Sequence, residues 1–107
     1  MSGQTDLLRA IRMAAETGHI EYGARKVRKL VLHGKAKAVI IALNAPAELK
    51  RDIEYYAKLS GIPVIVFPGT SVELGTFLGR PHSITSIAVI EPGGSNILDI
   101  AREVSGK

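Results

Sequence analysis

Residues 38–46 run Ala38-Val39-Ile40-Ile41-Ala42-Leu43-Asn44-Ala45-Pro46. The apolar run is rich in Val and Ile, too short for an ordinary helix, and unbroken by polar positions. It predicts a central strand covered on both faces. Asn44-Ala45-Pro46 ends the run. Pro46 predicts a helix start, because a residue without an N–H loses nothing in a first turn, where that group has no partner.

Working outward, the same alternation of elements continues. Upstream, Asp6 is expected to cap a first helix with Leu7, Ile11, Ala14 and Ala15 on one face and Gly18 at its end. His19–Tyr22 alternates as a short strand. Gly23 turns the chain into a second helix, with Val27, Leu30 and Val31 inward, and Gly34 stops it. Downstream, Leu49, Ile53, Tyr56 and Ala57 form the stripe of a third helix, ended by Ser60-Gly61. Residues 63–67 form a strand with Pro63 at its first position. Thr70-Ser71-Val72-Glu73 has the spacing of a capping box, in which each end bonds the other's backbone. It opens a short helix with Leu74, Phe77 and Leu78. A loop over 79–83, a strand over 84–90, a turn at Pro92-Gly93-Gly94 and a last helix capped by Ser95, with Ile97, Ala101 and Val104 inward, complete the chain. The order α-β-α-β-α-β-α-β-α predicts a sheet between helix layers. One domain is expected over residues 1–107, with its core at about 7–104.

Several chemistries find no residues to carry them. Cys is absent, which removes disulfide frameworks, thiol nucleophiles and thiolate zinc sites. His19, His33 and His82 lack metal-ligand spacing. His33, near a helix end, is read as a donor to the last carbonyls. Gly69 and Gly75 are not followed by the Lys-Ser or Lys-Thr of a phosphate loop, and no nucleophile elbow occurs. Glu48 and Asp52 share a helix face with cations between them and form no catalytic pair. No enzyme, cofactor or metal is expected. No apolar run approaches the roughly 20 residues of a spanning helix, and residues 1–6 lack the pattern of a signal peptide. A protein of the cytoplasm, with no membrane partner, is the expectation.

The charge pattern is more informative. The formal net charge is +4, and between Glu21 and Glu48 there is no acidic residue. That window holds Arg25, Lys26, Arg28, Lys29, Lys35 and Lys37, six of the fourteen Lys and Arg residues. A single-sign stretch repels itself and favours an anionic partner. Within it, Gly23-Ala24-Arg25-Lys26 sets two cations in a helix's first turn, where the dipole disfavours them unless an anion is present. Asn44 can donate and accept at once, as a base edge requires; it can also simply bond its own turn. Gly79-Arg80-Pro81-His82-Ser83 offers two side chains able to stack on an unpaired base. If the first two strands are parallel and the last antiparallel, all three loops share one edge of the sheet.

Gly23-Ala24-Arg25-Lys26, Ala42-Leu43-Asn44-Ala45-Pro46, residues 52–60 (Asp-Ile-Glu-Tyr-Tyr-Ala-Lys-Leu-Ser), Val72-Glu73-Leu74-Gly75-Thr76 and Gly79-Arg80 together carry a resemblance. The chain resembles the L-thirty-e family of archaeal and eukaryotic large-subunit ribosomal proteins. That family is a branch of the kink-turn-binding superfamily named for ribosomal protein L-seven-A-e. The likeness runs from about Leu7 to Val104. It implies a three-layer α/β/α sandwich around a four-stranded mixed sheet whose last strand is antiparallel. It implies an RNA site: Gly23, Ala24, Arg25 and Lys26 in the widened groove of a kink-turn, Asn44 on a base or backbone, and Arg80, His82, Ser83 and Ile84 against an extruded nucleotide. Arg28 and Lys29 are expected on neighbouring phosphates, though no motif fixes them. One departure is His82, where eukaryotic relatives place a phenylalanine.

The function so implied is that of a structural constituent of the large ribosomal subunit. It would bind a kink-turn of ribosomal RNA, stand beside neighbouring ribosomal proteins, and be a monomer when free. The alternatives are a kink-turn binder outside the ribosome, acting as a regulator or with guide RNA, and a small metabolite-binding or enzymatic α/β domain.

Overall fold

A computed structural model describes residues 2–105. Its elements are α1 (Ser2–Thr17), β1 (His19–Tyr22), α2 (Ala24–Leu32), β2 (Ala38–Ala42), α3 (Ala47–Ser60), β3 (Val64–Phe67), α4 (Ser71–Phe77), β4 (Ser86–Glu91) and α5 (Ile97–Ser105). The four strands form one sheet in the order β1-β4-β2-β3. β4 is antiparallel to both β1 and β2, and β2 is parallel to β3.

β2 is buried along its whole length, as its sequence predicts. Its residues alternate between two cores. Ala38, Ile40 and Ala42 face Leu7, Ala10, Ile11 and Ala14 of α1, Leu74 of α4, and Ile97 and Ala101 of α5. Val39 and Ile41 face Val27 and Val31 of α2 and Leu49, Ile53 and Ala57 of α3. The three layers follow from this period of two, since each face of a central strand must be covered. Each Ile or Leu buried in this way contributes about 1.5–3 kcal/mol.

Some boundaries differ from expectation. α1 starts at Ser2, so Asp6 lies inside the helix and does not cap it. Five helical residues, Ser2 to Asp6, precede the apolar stripe. Pro46 is the cap residue of α3 and not its first helical residue. β3 starts at Val64, although the Pro63 carbonyl still accepts from Val39 N–H at 3.0 Å. β4 starts at Ser86, two residues late: the Ile84 N–H donates to the Ser71 carbonyl at the start of α4, and the Thr85 carbonyl accepts from Ala42 N–H at the end of β2. Leu43 is outside β2 and exposed. The capping box is present: Glu73 N–H donates to Thr70 Oγ1 (3.2 Å) and Thr70 N–H to Glu73 Oε1 (2.8 Å). His33 sits at the C-cap of α2 with its Nδ1 2.9 Å from the Lys29 carbonyl, the expected role. The Val104 side chain lies outside the described residues.

Candidate nucleic-acid interface

β1, β2 and β3 point the same way and β4 opposes them, so the ends of three strands and the start of the fourth meet on one edge. Backbone hydrogen bonds join the loops there. Gly23 N–H donates to the Ser86 carbonyl (3.3 Å) and Ala42 N–H to Thr85 (2.9 Å). Leu43 N–H donates to Gly69 (2.8 Å) and Ile84 N–H to Ser71 (2.9 Å). Residues 23–26, Asn44, 69–71 and 80–84 therefore form one rim. Arg25, Lys26, Asn44, Arg80, His82 and Ser83 are exposed on it; Ile84 is buried and anchors its loop.

Three helices start at this rim, and they start differently. The first N–H groups of any helix lack partners within it and carry its partial positive charge. α4 is closed by its capping box. α3 has no side-chain cap, but Glu48 lies in its first turn. α2 has neither: Gly23 at its N-cap brings no capping side chain, no acid stands in the first turn, and Arg25 and Lys26 do. Gly23 sits at φ 110°, a region in which residues with a Cβ are strained. The α2 start is thus the place on the rim where an anion gains most.

The amide oxygen of Asn44 is already engaged within the protein. This Oδ1 accepts from the backbone N–H of Ser71 at 2.8 Å, across 27 residues of sequence. An N–H can only donate, so the amide oxygen must face Ser71. The NH2 end of the exposed side chain is then left to offer donors outward. The bond to its own turn is replaced by one to the first residue of α4, and that bond engages only the amide oxygen.

The loop over 79–85 is fixed by close approach. A Cβ on Gly75 of α4 would fall 2.0 Å from the His82 carbonyl oxygen, so only glycine admits the loop here. Arg80 N–H donates to Gly75 O at 2.8 Å. Above the loop, the Tyr22 ring lies 5.8 Å from the His82 ring and 5.1 Å from the Arg80 guanidinium carbon. Tyr22, Ser71 and Gly75 are rim residues that local sequence spacing does not single out. An aromatic residue ending a strand directly before a glycine turn was the one available signal.

Two expected residues are not brought to the rim. Arg28 Nε lies 3.6 Å from Asp52 Oδ2, tying α2 to α3. Lys29 lies in the last turn of α2, where a cation offsets the helix's C-terminal charge. Lys26 reaches back to Glu21, its Nζ 3.1 Å from Oε1, and His19 Nε2 meets the other carboxylate oxygen. These bonds from His19 and Lys26 lower the Glu21 pKa below its ordinary value.

Fold and rim together define a class: a small α/β/α sandwich that offers a partner a cationic edge of loops. A family model described as "Ribosomal protein L7Ae/L30e/S12e/Gadd45 family" matches residues 5–99, and the chain belongs to that family. It is 48% identical over 98 residues to "Large ribosomal subunit protein eL30" of Methanopyrus kandleri, covering 92% of this chain and 90% of that protein. It is also 48% identical over 95 residues to the protein of that name from Pyrobaculum islandicum (89% and 94% covered). With that of Methanothermobacter thermautotrophicus the identity is 45% over 95 residues (89% and 97% covered). These relatives are structural proteins of the ribosome and not enzymes.

Proposed function

We propose that this chain is a constituent of the large ribosomal subunit in the cytoplasm, where it binds ribosomal RNA at a kink-turn and stabilises the bent form. The observation that carries this reading is the convergence of residues 23–26, Asn44 and 80–84 on one rim. It is supported by the names of the relatives. A bent internal loop presents phosphates and splayed bases on neighbouring surfaces; a straight one separates them. A rim that engages both surfaces binds the bent form more tightly and shifts the equilibrium toward it. The open α2 start with Arg25 takes phosphate or a guanine edge. The Asn44 amide donates to a base or backbone acceptor, and Arg80 and His82 stack on an unpaired base. Arg28 and Lys29 are left with long-range attraction to neighbouring phosphates. The free protein is a monomer, and in the particle it adjoins neighbouring ribosomal proteins.

The test is titration of a kink-turn RNA against its unbent duplex control. About four phosphate contacts give a slope of log K against log salt near −3. Arg25→Ala weakens binding by about 1–3 kcal/mol. Equal affinity for the two RNAs, or a flat salt profile, refutes the reading.

A further inference from the structure

We infer that Tyr22 is the positioning residue of this rim: its ring is the surface against which Arg80 and His82 are held for contact with RNA. The inference rests on the RNA reading above and assigns a role to a residue that none of the rim's own motifs contains.

The argument begins with what fixes the loop and what does not. Its backbone is held at Arg80 N–H by Gly75, at Ile84 N–H by Ser71, and at the Thr85 carbonyl by Ala42. Its two functional side chains have no such anchors. Arg80 and His82 are exposed, and neither has an ion-pair partner among the described residues. Nδ1 of His82 reaches only the carbonyl of its neighbour Ser83, at 3.2 Å. What the two share is the Tyr22 ring, with the imidazole centroid at 5.8 Å and tilted 40°, and the guanidinium carbon 5.1 Å from the ring centroid. A cation within about 6 Å of a ring's centroid is attracted by its quadrupole.

Tyr22 is well placed to be that surface. It is the last residue of β1, and its Cα pairs with Ile87 of the central strand β4. It is half-buried against the core shared by α1, α4 and α5, so the ring itself is anchored. Next to it, Gly23 starts α2. One residue thus lies between the phosphate-binding helix start and the base-stacking loop. A long arginine loses rotamer freedom when it binds, and holding it beforehand reduces that loss. The effect of Tyr22 on RNA therefore passes through Arg80 and His82.

The experiment is a mutant cycle read by kink-turn affinity and by thermal midpoint. Tyr22→Leu keeps an apolar side chain for the core and removes the ring; Tyr22→Phe keeps the ring. The expected results are about a tenfold loss for Tyr22→Leu at an unchanged thermal midpoint, and affinity within twofold of the parent for Tyr22→Phe. In an Arg80→Ala, His82→Ala background the leucine substitution costs nothing further. Parent-like binding by Tyr22→Leu, or the same loss in both backgrounds, overturns the inference. If leucine unfolds the chain, Tyr22→Met takes its place. As a readout independent of RNA, the His82 ring protons shift in the NMR spectrum of the free protein when the Tyr22 ring is removed. Unmoved protons overturn the positioning role even where affinity falls. A parent that ignores the kink-turn RNA while those protons respond overturns the RNA reading and leaves the ring contact demonstrated.

Discussion

α2, α3 and α4 begin at the rim; at the opposite end of the sheet α1, α2 and α3 finish and α5 begins. Both ends are made of short turns rich in Gly, Pro and Ser, and composition alone would not rank them. Their electrostatics differ. The far end gathers helix C-termini and answers them internally: Lys58 lies in the last turn of α3, His33 closes α2, and Lys37 stands 3.6 Å from Glu91. The rim gathers N-termini, leaves the α2 start uncapped, and adds Arg25 and Arg80, which have no ion-pair partner among the described residues. The direction of the strands sets this asymmetry, because it decides which helix ends share an edge. A positive edge with its charge unanswered costs stability and is useful only to a protein with an anionic partner.

Close packing offers the strongest way to break the comparison. A Cβ at Gly75 would meet the His82 carbonyl oxygen at 2.0 Å, and one at Gly18 would meet the Glu91 carbonyl oxygen at 2.0 Å. The clash is equal, and it falls on opposite ends. Gly75→Ala and Gly18→Ala should each cost about 1–3 kcal/mol of stability, as overpacking does. Gly75→Ala also moves the loop that carries Arg80 and His82, so kink-turn affinity should fall on the order of a hundredfold, about 3 kcal/mol. Gly18→Ala should bind, per folded molecule, as the parent does. Calorimetry and RNA titration on the pair separate the two ends; equal losses of binding would mean that the rim is not the site.

The next largest effect concerns Asn44. Asn44→Asp keeps an acceptor for Ser71 N–H while replacing the amide donors with negative charge on the rim. Its stability should match the parent's within about 1 kcal/mol, while RNA affinity falls by about 1–3 kcal/mol. Asn44→Ala loses both roles, and should lose stability as well. This division between holding and reading could not be derived from sequence. Strand order and direction are equally non-local. The period of β2, the stripe of α3 and the capping box of α4 are local patterns, and all were legible at residue level. That β4 lies between β1 and β2, that Ser71 finds Asn44 across 27 residues, and that His82 crosses Gly75 are facts of long-range packing. The antiparallel last strand came from family resemblance, and spacing left it conditional. Arg28 shows the limit in the other direction: a cation in a basic window looks free until Asp52, 24 positions on, is found beside it.

Two serines sharpen the comparison on a smaller scale. Ser86, at the rim end of β4, is fully buried, and its Oγ has no hydrogen-bond partner among the described residues. Ser95, at the far end, donates to the Ala10 carbonyl (2.7 Å) and accepts from Ile97 N–H (3.0 Å). An unmade buried hydrogen bond costs more than a made one gains. Ser86→Ala should therefore raise stability by about 1 kcal/mol, and Ser95→Ala should lower it by about the same. Thermal midpoints moving in opposite directions would confirm that the rim end carries polar strain which the far end has resolved. A lower midpoint for Ser86→Ala would show that its hydroxyl is satisfied.

The smallest effect lies where the rim restrains itself. Glu21 holds Lys26, and its lowered pKa means that the folded state favours the charged carboxylate. The sign follows from linkage: the contribution is present above the ordinary glutamate range and is lost as pH falls through the lowered folded value. The group is on the surface, so the loss should be a shallow decline in thermal midpoint under acid, absent in Glu21→Gln. For RNA the same variant acts in the other direction. It frees Lys26 and removes a negative charge near phosphate, so affinity should rise severalfold at low salt. With one more cation available, the slope of log K against log salt should steepen by about 0.7–0.9. An unchanged slope would mean that Lys26 stays out of the interface. The contacts at the α2 start would then fall to Arg25 and the helix N–H groups, two features of that turn that no carboxylate among the described residues engages.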